Sequence, residues 1–123
     1  MPVRRDLLSF VEATAFQAAW RRCGLADGDL LALQIGIMID PKSAPVIEGT
    51  GGLRKLRFSP PGMHRGKSGS YRVCYVYFEE FGIVLCVTAY DKKQKDNLSA
   101  AAKKTIRQLI EQQHSLLASR LFP

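Results

Sequence analysis

Two strand-forming runs separated by four residues are the feature that most limits what this chain can fold into. Residues 71–78, with the sequence YRVCYVYF, are rich in β-branched and aromatic side chains, which favour strands. Residues 83–90 are almost continuously apolar, as in a central strand that is buried on both faces of its sheet. Residues 79–82 end in Gly82, which permits the backbone geometry of a tight turn. The pattern predicts an antiparallel hairpin.

The remaining segments predict two further strands and three helices. Strands are expected at residues 6–12 and 53–58, and loops at 41–52 and 59–69. Helices are expected over 14–24, over 27–40 with Asp27 as the cap, and over 100–118 with Ser99 as the cap. The predicted buried stripe of the first helix is Phe16, Trp20 and Cys23, and that of the second is Leu30, Leu33 and Ile37. In the third helix the predicted stripe is Ile106, Leu109, Ile110 and Leu117. The order β-α-α-β-β-β-α predicts a small α+β fold with a mainly antiparallel sheet, in a single domain over residues 1–123.

Composition excludes several classes of protein. No apolar run approaches the roughly 20 residues that span a bilayer, and the N-terminus has no secretory signal, so we expect a cytoplasmic protein without a membrane partner. The three cysteines are far apart and form no C-x-x-C motif, which argues against a disulfide scaffold or a zinc ribbon. His64 and His114 lie 50 positions apart without acidic neighbours at ligand spacing. We therefore predict no metal site and no cofactor.

The positive charge of the chain is concentrated in one segment. The chain has 18 Lys and Arg against 11 Asp and Glu, a net charge of +7. Residues 51–95 hold nine of the basic residues and three of the acidic ones. Basic residues beside aromatic ones indicate a polyanion as partner, because Lys and Arg neutralise phosphates and release counterions. A solvated basic surface that aids solubility has the same composition, so this observation leaves both interpretations open.

Alternation along the strands groups some of these cations. Lys55 and Arg57 point to one face of the strand over 53–58, and Arg72 shares a face with the apolar Cys74. A charge between apolar neighbours requires a partner, which is either a carboxylate of the protein or a phosphate bound in a cleft. Tyr90 ends the central strand and directly precedes a basic segment that sheet neighbours could bring close to Lys55 and Arg57.

A phenol beside several cations has the groups that cleave RNA. The reaction needs a base for the 2′-hydroxyl proton, cations for the charge on the phosphorane and an acid for the leaving 5′-oxygen. Nearby positive charge lowers the pKa of a tyrosine, and the planar arginine side chain matches two phosphate oxygens. A passive RNA-binding surface has the same groups. Gly66-Lys67-Ser68 lacks the first glycine of a P-loop and precedes a strand, which excludes that nucleotide-binding motif.

Three sequence blocks resemble a known family. GTGGLRKLRF at 49–58, GKSGSYRVCY at 66–75 and YDKK at 90–93, close to DNLS at 96–99, resemble the HigB branch of the RelE-like toxins over roughly residues 10–112. The resemblance implies a microbial-RNase-like α+β fold and the toxin role in a type II toxin–antitoxin module. It implies an endoribonuclease that cleaves mRNA in the ribosomal A site without metal, inhibits translation and leaves a 2′,3′-cyclic phosphate. It also implies a helix-turn-helix antitoxin as partner, through which alone the toxin would reach operon DNA.

The resemblance also implies roles for particular residues. Lys55 and Arg57 match basic strand residues, Arg72 matches the strand arginine that contacts the scissile phosphate, and Lys67 lies in the Gly-Lys-x-Gly loop. Our candidate catalytic residues are Arg72, Lys55, Arg57 and Tyr90, and our candidate RNA-binding residues are Arg54, Lys67, Lys92, Lys93 and Lys95. The family varies its proton-transfer residue, so Tyr90 and the lysines remain alternatives for the base. The alternative functions are a non-catalytic RNA- or ribosome-binding module and a degenerate toxin that keeps only an antitoxin-binding, regulatory role.

Overall fold

The predicted element order is confirmed by the structure. A computed structural model describes residues 7–61, 71–94 and 98–122. Within these ranges the elements are β1 (Ser9–Glu12), α1 (Thr14–Arg22), α2 (Asp27–Ile39), β2 (Leu53–Phe58), β3 (Tyr71–Phe78), β4 (Ile83–Asp91) and α3 (Ala100–Leu121). The fold is therefore α+β, with a mostly antiparallel open sheet.

The strands of the described residues form one sheet in the order β1-β4-β3-β2. β1 runs parallel to β4, whereas the β2–β3 and β3–β4 pairs are antiparallel. A short 3-10 turn, Glu79–Phe81, joins β3 to β4, and Gly82 closes it with φ of 63°, a conformation that strongly favours glycine. The predicted hairpin and the central position of β4 are both confirmed.

One face of the sheet, which we call the α1/α2 face, is covered by the first two helices. Phe16 and Trp20 of α1 and Leu33 of α2 are buried against Tyr75 and Val84 of the sheet. The rings of Phe16 and Trp20 are stacked with centroids 5.4 Å apart. Trp20 also donates from Nε1 to the carbonyl of Ala26 at 3.2 Å, so its polar atom is satisfied within the packed layer. This face holds the larger of two apolar clusters.

The opposite face, which we call the α3 face, carries a second apolar cluster. Leu53, Cys74, Val76 and Phe78 form its buried part. The side chains of α3 that pack on it are Ile106, Ile110 and Leu117. These three side chains are partly buried. Our expectation that Leu109 is buried is wrong, because Leu109 lies at the edge of that stripe and is 52% exposed.

The helices end at Arg22, Ile39 and Leu121, where the sequence predicted ends at 24, 40 and 118, and the cap of α2 also differs from the prediction. Ser99 caps α3 as predicted, since its Oγ accepts from the Ala102 N–H at 3.0 Å. Asp27 is the first residue of α2 and not its cap; that position is Ala26, whose N–H donates to Asp29 Oδ2 at 2.9 Å. The carboxylate that contacts the backbone at the start of α2 is therefore that of Asp29, two positions after Asp27. Capping propensity alone does not distinguish the two aspartates.

A glycine-rich turn attaches α3 to the start of β2. Arg107 Nη2 donates to the carbonyl of Gly49 at 2.9 Å, and a Cβ on Gly51 would lie 3.0 Å from Arg107 Cγ. Thr50, which lies between Gly49 and Gly51 in the chain, is fully buried. Its hydroxyl donates to the Ile47 carbonyl and accepts from the Leu53 N–H. Part of the GTGGLRKLRF block is thus explained by packing. Among the described residues no helix combines the length and apolar character needed to span a membrane.

Candidate nucleic-acid interface

The strand register brings three predicted catalytic residues into one row across the sheet. Arg57 of β2 lies opposite Arg72 of β3, and Arg72 lies opposite Tyr90 of β4. Residues directly opposite in antiparallel strands project from the same face, with Cβ atoms about 4.5–5.5 Å apart. Two guanidinium groups and a phenol are therefore neighbours, although 33 positions separate Arg57 from Tyr90 in the chain.

The neighbouring row of residues across the sheet contains Lys55, the fourth predicted catalytic residue. Lys55 lies opposite Cys74, and Cys74 lies opposite Thr88. Cys74 is buried, so the longer Lys55 side chain and the Thr88 hydroxyl flank a small apolar residue. Lys55, Arg57, Arg72 and Tyr90 thus lie on one face of the sheet, in adjacent rows. We refer to these four residues as the cationic cluster.

A β-bulge decides that Tyr90 belongs to this face. Cys74 pairs with Thr88 but Tyr75 pairs with Cys86, so β4 has one additional residue, Val87, at this point. Strict alternation from Leu85 would direct Ala89 to the α3 face. With the bulge, Ala89 instead packs in the α1/α2 core, and Tyr90 packs beside the α3 cluster.

The cationic cluster opens into a groove at the edge of β2. A cavity of about 400 Å³ is lined by Lys55, Leu56, Arg57 and Arg72 on the strand side, and by Ser43, Ala44 and Pro45 on the other. The Lys55 N–H donates to the Pro45 carbonyl at 3.0 Å, which fixes this wall against the strand. Residues 43–45 were missed by the sequence reasoning, since nothing local in a loop indicates which strand it borders.

The Arg57–Arg72 pair is unfavourable for the sheet by itself. Like charges directly opposite each other destabilise strand pairing, by an amount comparable with the 0.2–1 kcal/mol that opposite charges contribute, as an order of magnitude. Arg72 is half-buried and donates from Nη1 to the Tyr71 carbonyl at 3.3 Å, whereas Arg57 is exposed. An anion between two such planar donors converts the repulsion into paired, charge-assisted hydrogen bonds.

Lys92 and Lys93 extend the positive surface beyond the row of Arg72. They lie in a turn after β4 that Asp91 organises, with its Oδ1 accepting from the Lys93 N–H at 2.8 Å. The Gln94 side chain closes the turn by accepting from the Asp91 N–H at 3.1 Å. Asp91 pairs with Tyr71, so both exposed lysines lie at the same end of the sheet as Arg72.

Arg54 lies away from the other cations. Alternation places it on the α1/α2 face, where its Nη1 donates to the carbonyl oxygens of Lys42 at 3.0 Å and Ala44 at 2.7 Å. A guanidinium engaged in this way holds the loop that follows α2. This geometry favours a structural role for Arg54 over the RNA contact that we predicted for it.

Several positions named from the sequence fall outside the described ranges, including residues 62–69 of the predicted loop. Lys67, Lys95 and His64 lie there, so their predicted positions stay predictions. The other histidine, His114, is on α3 near the hairpin turn, where its Nε2 lies 2.7 Å from Glu80 Oε1. It is not among the residues that line the groove.

Burial perturbs the titration of several side chains on the α1/α2 face. Burial raises the pKa of the Cys86 thiol to about 12, and burial also raises the pKa values of Tyr75 and Tyr71. Tyr75 donates its hydroxyl to the Pro41 carbonyl at 2.8 Å, and Tyr71 donates to that of Cys23 at 3.4 Å. These groups stay neutral near pH 7 and hold the core; they do not face the groove.

The cysteines and acids of the described residues do not form a metal centre. The structure describes all three cysteines, Cys23, Cys74 and Cys86, and they form no disulfide bond. Within residues 7–61, 71–94 and 98–122, no three His, Cys, Asp or Glu side chains are placed to hold a metal ion. The predicted absence of a metal remains a prediction, since it concerns the reaction and not only this part of the chain.

The fold resembles that of solved bacterial toxins. The isolated E. coli RelE toxin aligns with a TM-score of 0.50 and 14% identity, covering 84% of this chain and 99% of the toxin. An arginine double mutant of E. coli RelE in the free state aligns with a TM-score of 0.48 and 16% identity, covering 70% of this chain and 84% of that one. No protein-family model matches the sequence. The alignment with the isolated toxin shows that the chain has a RelE-like fold, as the sequence blocks predicted.

Proposed function

We propose that this protein is the toxin of a type II toxin–antitoxin system and an endoribonuclease that cleaves mRNA on the ribosome. The observation that supports it best is the placement of Lys55, Arg57, Arg72 and Tyr90 in two adjacent rows of the sheet, beside an open groove. The RelE-like fold is consistent with this function. By itself a fold does not specify an activity, so the cationic cluster carries the argument.

The proposed chemistry is a transphosphorylation through the RNA 2′-hydroxyl. A base removes the proton of that hydroxyl, its oxygen attacks the adjacent phosphorus, and the bond to the 5′-oxygen breaks as that oxygen gains a proton. Arg72 and Arg57 bind the non-bridging oxygens, where negative charge develops in the transition state. Tyr90 and Lys55 are the proposed proton-transfer groups nearest to them. The products are a 2′,3′-cyclic phosphate and a 5′-hydroxyl, without a metal ion or a cofactor.

The wider surface and the partners complete the proposal. Lys92 and Lys93 contact phosphates beyond the scissile one, and Lys67 and Lys95 contribute to the same binding surface. The protein acts in the cytoplasm, where the ribosome presents mRNA in its A site. A helix-turn-helix antitoxin neutralises it, and the sequence blocks at 49–58 and 66–75 favour the HigB branch.

Cleavage of mRNA on programmed ribosomes tests the function directly. Purified ribosomes carrying a defined mRNA are mixed with the protein, and new 5′ ends are mapped by primer extension. We expect cleavage within the A-site codon and fragments that end in a 2′,3′-cyclic phosphate. A matched mRNA with 2′-deoxynucleotides in that codon should resist cleavage, because it lacks the attacking hydroxyl.

The outcome also distinguishes the alternative functions. A passive RNA- or ribosome-binding module binds with strong salt dependence but produces no new 5′ ends. Intact mRNA on ribosomes that have demonstrably bound the protein would therefore overturn the nuclease proposal. Cleavage of the 2′-deoxy mRNA at the same site would instead exclude transphosphorylation and leave another hydrolytic mechanism.

A further inference from the structure

The groove beside the cationic cluster has two unlike sides. The strand side carries the positive charge of three members of that cluster. The opposite side is uncharged and consists of Ser43, Ala44 and Pro45, which we call the 43–45 wall. No acidic side chain is among the described residues that line the groove. A phosphate therefore binds along the strand side, and the 43–45 wall faces the sugar and base that the phosphate carries.

The size of the groove suits a single nucleotide. Its volume of about 400 Å³ lies at the small end of ligand cavities in proteins, which measure roughly 300–1,000 Å³. An RNA duplex is wider than such a cavity, so the matching ligand is a single-stranded segment. Proteins recognise single-stranded RNA through unstacked bases, whose edges form hydrogen bonds with side chains.

Hydrogen bonds hold the 43–45 wall against β2. The carbonyl of Pro45 accepts from the Lys55 N–H at 3.0 Å, and that of Ala44 accepts from Arg54 Nη1 at 2.7 Å. The same guanidinium donates to the carbonyl of Lys42, directly before the wall, at 3.0 Å. Ala44 is also buried. A wall that is fixed in this way can discriminate between ligands, because it does not move to fit each of them.

Ser43 supplies the polar side chain of this wall. It is exposed, and its hydroxyl makes no hydrogen bond to another residue within 7–61, 71–94 and 98–122. Its backbone N–H donates to the Asp40 carbonyl at 3.2 Å, which holds the residue in place. Ligand cavities combine an apolar lining with a few placed polar groups that give specificity. A hydroxyl both donates and accepts, so it can bond the edge of a base.

We propose that Ser43 determines the base preference of the groove, by hydrogen-bonding the base next to the phosphate that Arg57 and Arg72 bind. The inference rests on the proposed function, since it takes the ligand of the groove to be RNA. The Pro45 ring packs against the sugar or the base. Phosphate contacts carry no sequence information, so preference at this nucleotide comes from the 43–45 wall.

Cleavage of mRNAs that differ in one base of the A-site codon tests this assignment. One neutral hydrogen bond supports a preference of about three- to tenfold in kcat/KM, and we expect that preference at the codon position that adjoins the cleaved bond. Ser43→Ala should lose it, whereas Ser43→Thr, which keeps the hydroxyl, should retain it. Ser115→Ala changes an exposed serine on α3 that is not among the residues lining the groove, and it should cleave like the wild type.

Binding of non-cleavable RNA trinucleotides with 2′-O-methyl groups gives a readout that is independent of catalysis. Fluorescence titration of the wild type should show the favoured sequence binding about three- to tenfold more tightly than its single-base variants. Ser43→Ala should remove the differences between sequences. Arg72→Ala should weaken the binding of every sequence to a similar extent, because it removes a phosphate contact. Far-ultraviolet circular dichroism checks that each variant is folded.

The results separate this inference from the nuclease proposal. If the wild type cleaves mRNA with no preference at that codon position, or with one that Ser43→Ala retains, the role of Ser43 is wrong and the nuclease stands. If RNA binds with a preference that depends on Ser43 but is not cleaved, the groove assignment is supported and the nuclease fails. A wild type that neither binds nor cleaves RNA contradicts both.

Discussion

The α1/α2 face and the α3 face are built from alternate residues of the same strands, but they use polar side chains differently. On the α1/α2 face, Arg54 and Tyr75 donate to backbone carbonyl oxygens of the 41–44 loop. On the α3 face, Arg57 and Arg72 lie directly opposite each other at the edge of a groove. The first pair of residues stabilises the fold, whereas the second opposes strand pairing by its charge.

Stability and the proposed function are thus assigned to different faces of one sheet. Polar groups whose hydrogen bonds are made within the protein lower the free energy of the folded state. Removing such a group therefore lowers the free energy of unfolding. Under the proposed function, the like charges of Arg57 and Arg72 lower the stability of the fold and bind an anionic ligand from outside, which is a common cost of binding sites. Substitutions on the two faces should therefore give opposite patterns in unfolding and in cleavage.

The largest effect should come from the core of the α1/α2 face. Phe16→Ala removes a fully buried ring that stacks on Trp20, and we expect a loss of about 3–5 kcal/mol in the free energy of unfolding. Urea unfolding followed by circular dichroism measures it. Gln17→Ala, at the next and exposed position, should change stability by less than about 0.5 kcal/mol. A loss below about 1 kcal/mol for Phe16→Ala would contradict the packing described.

The next largest effect should be the loss of cleavage in Arg72→Ala. Removing a group that stabilises the phosphorane should slow mRNA cleavage about 100- to 1000-fold, by analogy with other oxyanion-stabilising donors. Single-turnover cleavage on ribosomes measures the rate, and urea unfolding should show a change within about 1 kcal/mol. Arg54→Ala is the matched control and should do the reverse, losing about 1–3 kcal/mol because two carbonyl groups lose their donor, while the folded protein still cleaves. If both variants slowed cleavage equally, the proposed difference in role between the α1/α2 face and the α3 face would be wrong.

Alkaline pH should destabilise the α1/α2 face specifically. The pKa of Cys86 is raised from 9.0 to about 12, so the unfolded chain loses the thiol proton at lower pH than the folded one. The contribution of Cys86 to the free energy of unfolding is complete below pH 9. It declines as the pH rises towards 12, by at most about 1.4 kcal/mol per pH unit. Unfolding free energies at pH 8, 10 and 11 measure the slope. Cys86→Ala should flatten that slope, and an unchanged slope would show that Cys86 does not cause it.

The smallest effect should be a gain in stability from Arg57→Gln. This change removes one of two like charges that lie opposite each other, and we expect an increase of a few tenths of a kcal/mol in unfolding free energy. The increase should shrink in 1 M salt, which screens the repulsion. Cleavage should fall in the same variant. A loss of stability would indicate that Arg57 is held by contacts within the fold.

Local sequence predicted the elements well, because their signals are short-range. The β-prone runs, the glycine of the turn and the Ser99 cap each depend on neighbours within a few residues. Alternation also predicted that Lys55 and Arg57 share a face. The errors fall where several local solutions are similar in energy: which aspartate contacts the start of α2, and whether Leu109 lies inside or at the edge of its stripe.

The sequence by itself determined the order of the elements and the local grouping of cations on their strands. Tertiary structure alone decided that Arg57, Arg72 and Tyr90 form one row, because that row depends on strand pairing and on the bulge at Val87. Without the extra residue, alternation would direct Ala89 to the α3 face and Tyr90 to the opposite one. The physical reason is that side chains alternate with a period of two, so a single unpaired residue in β4 reverses the face of every residue after it.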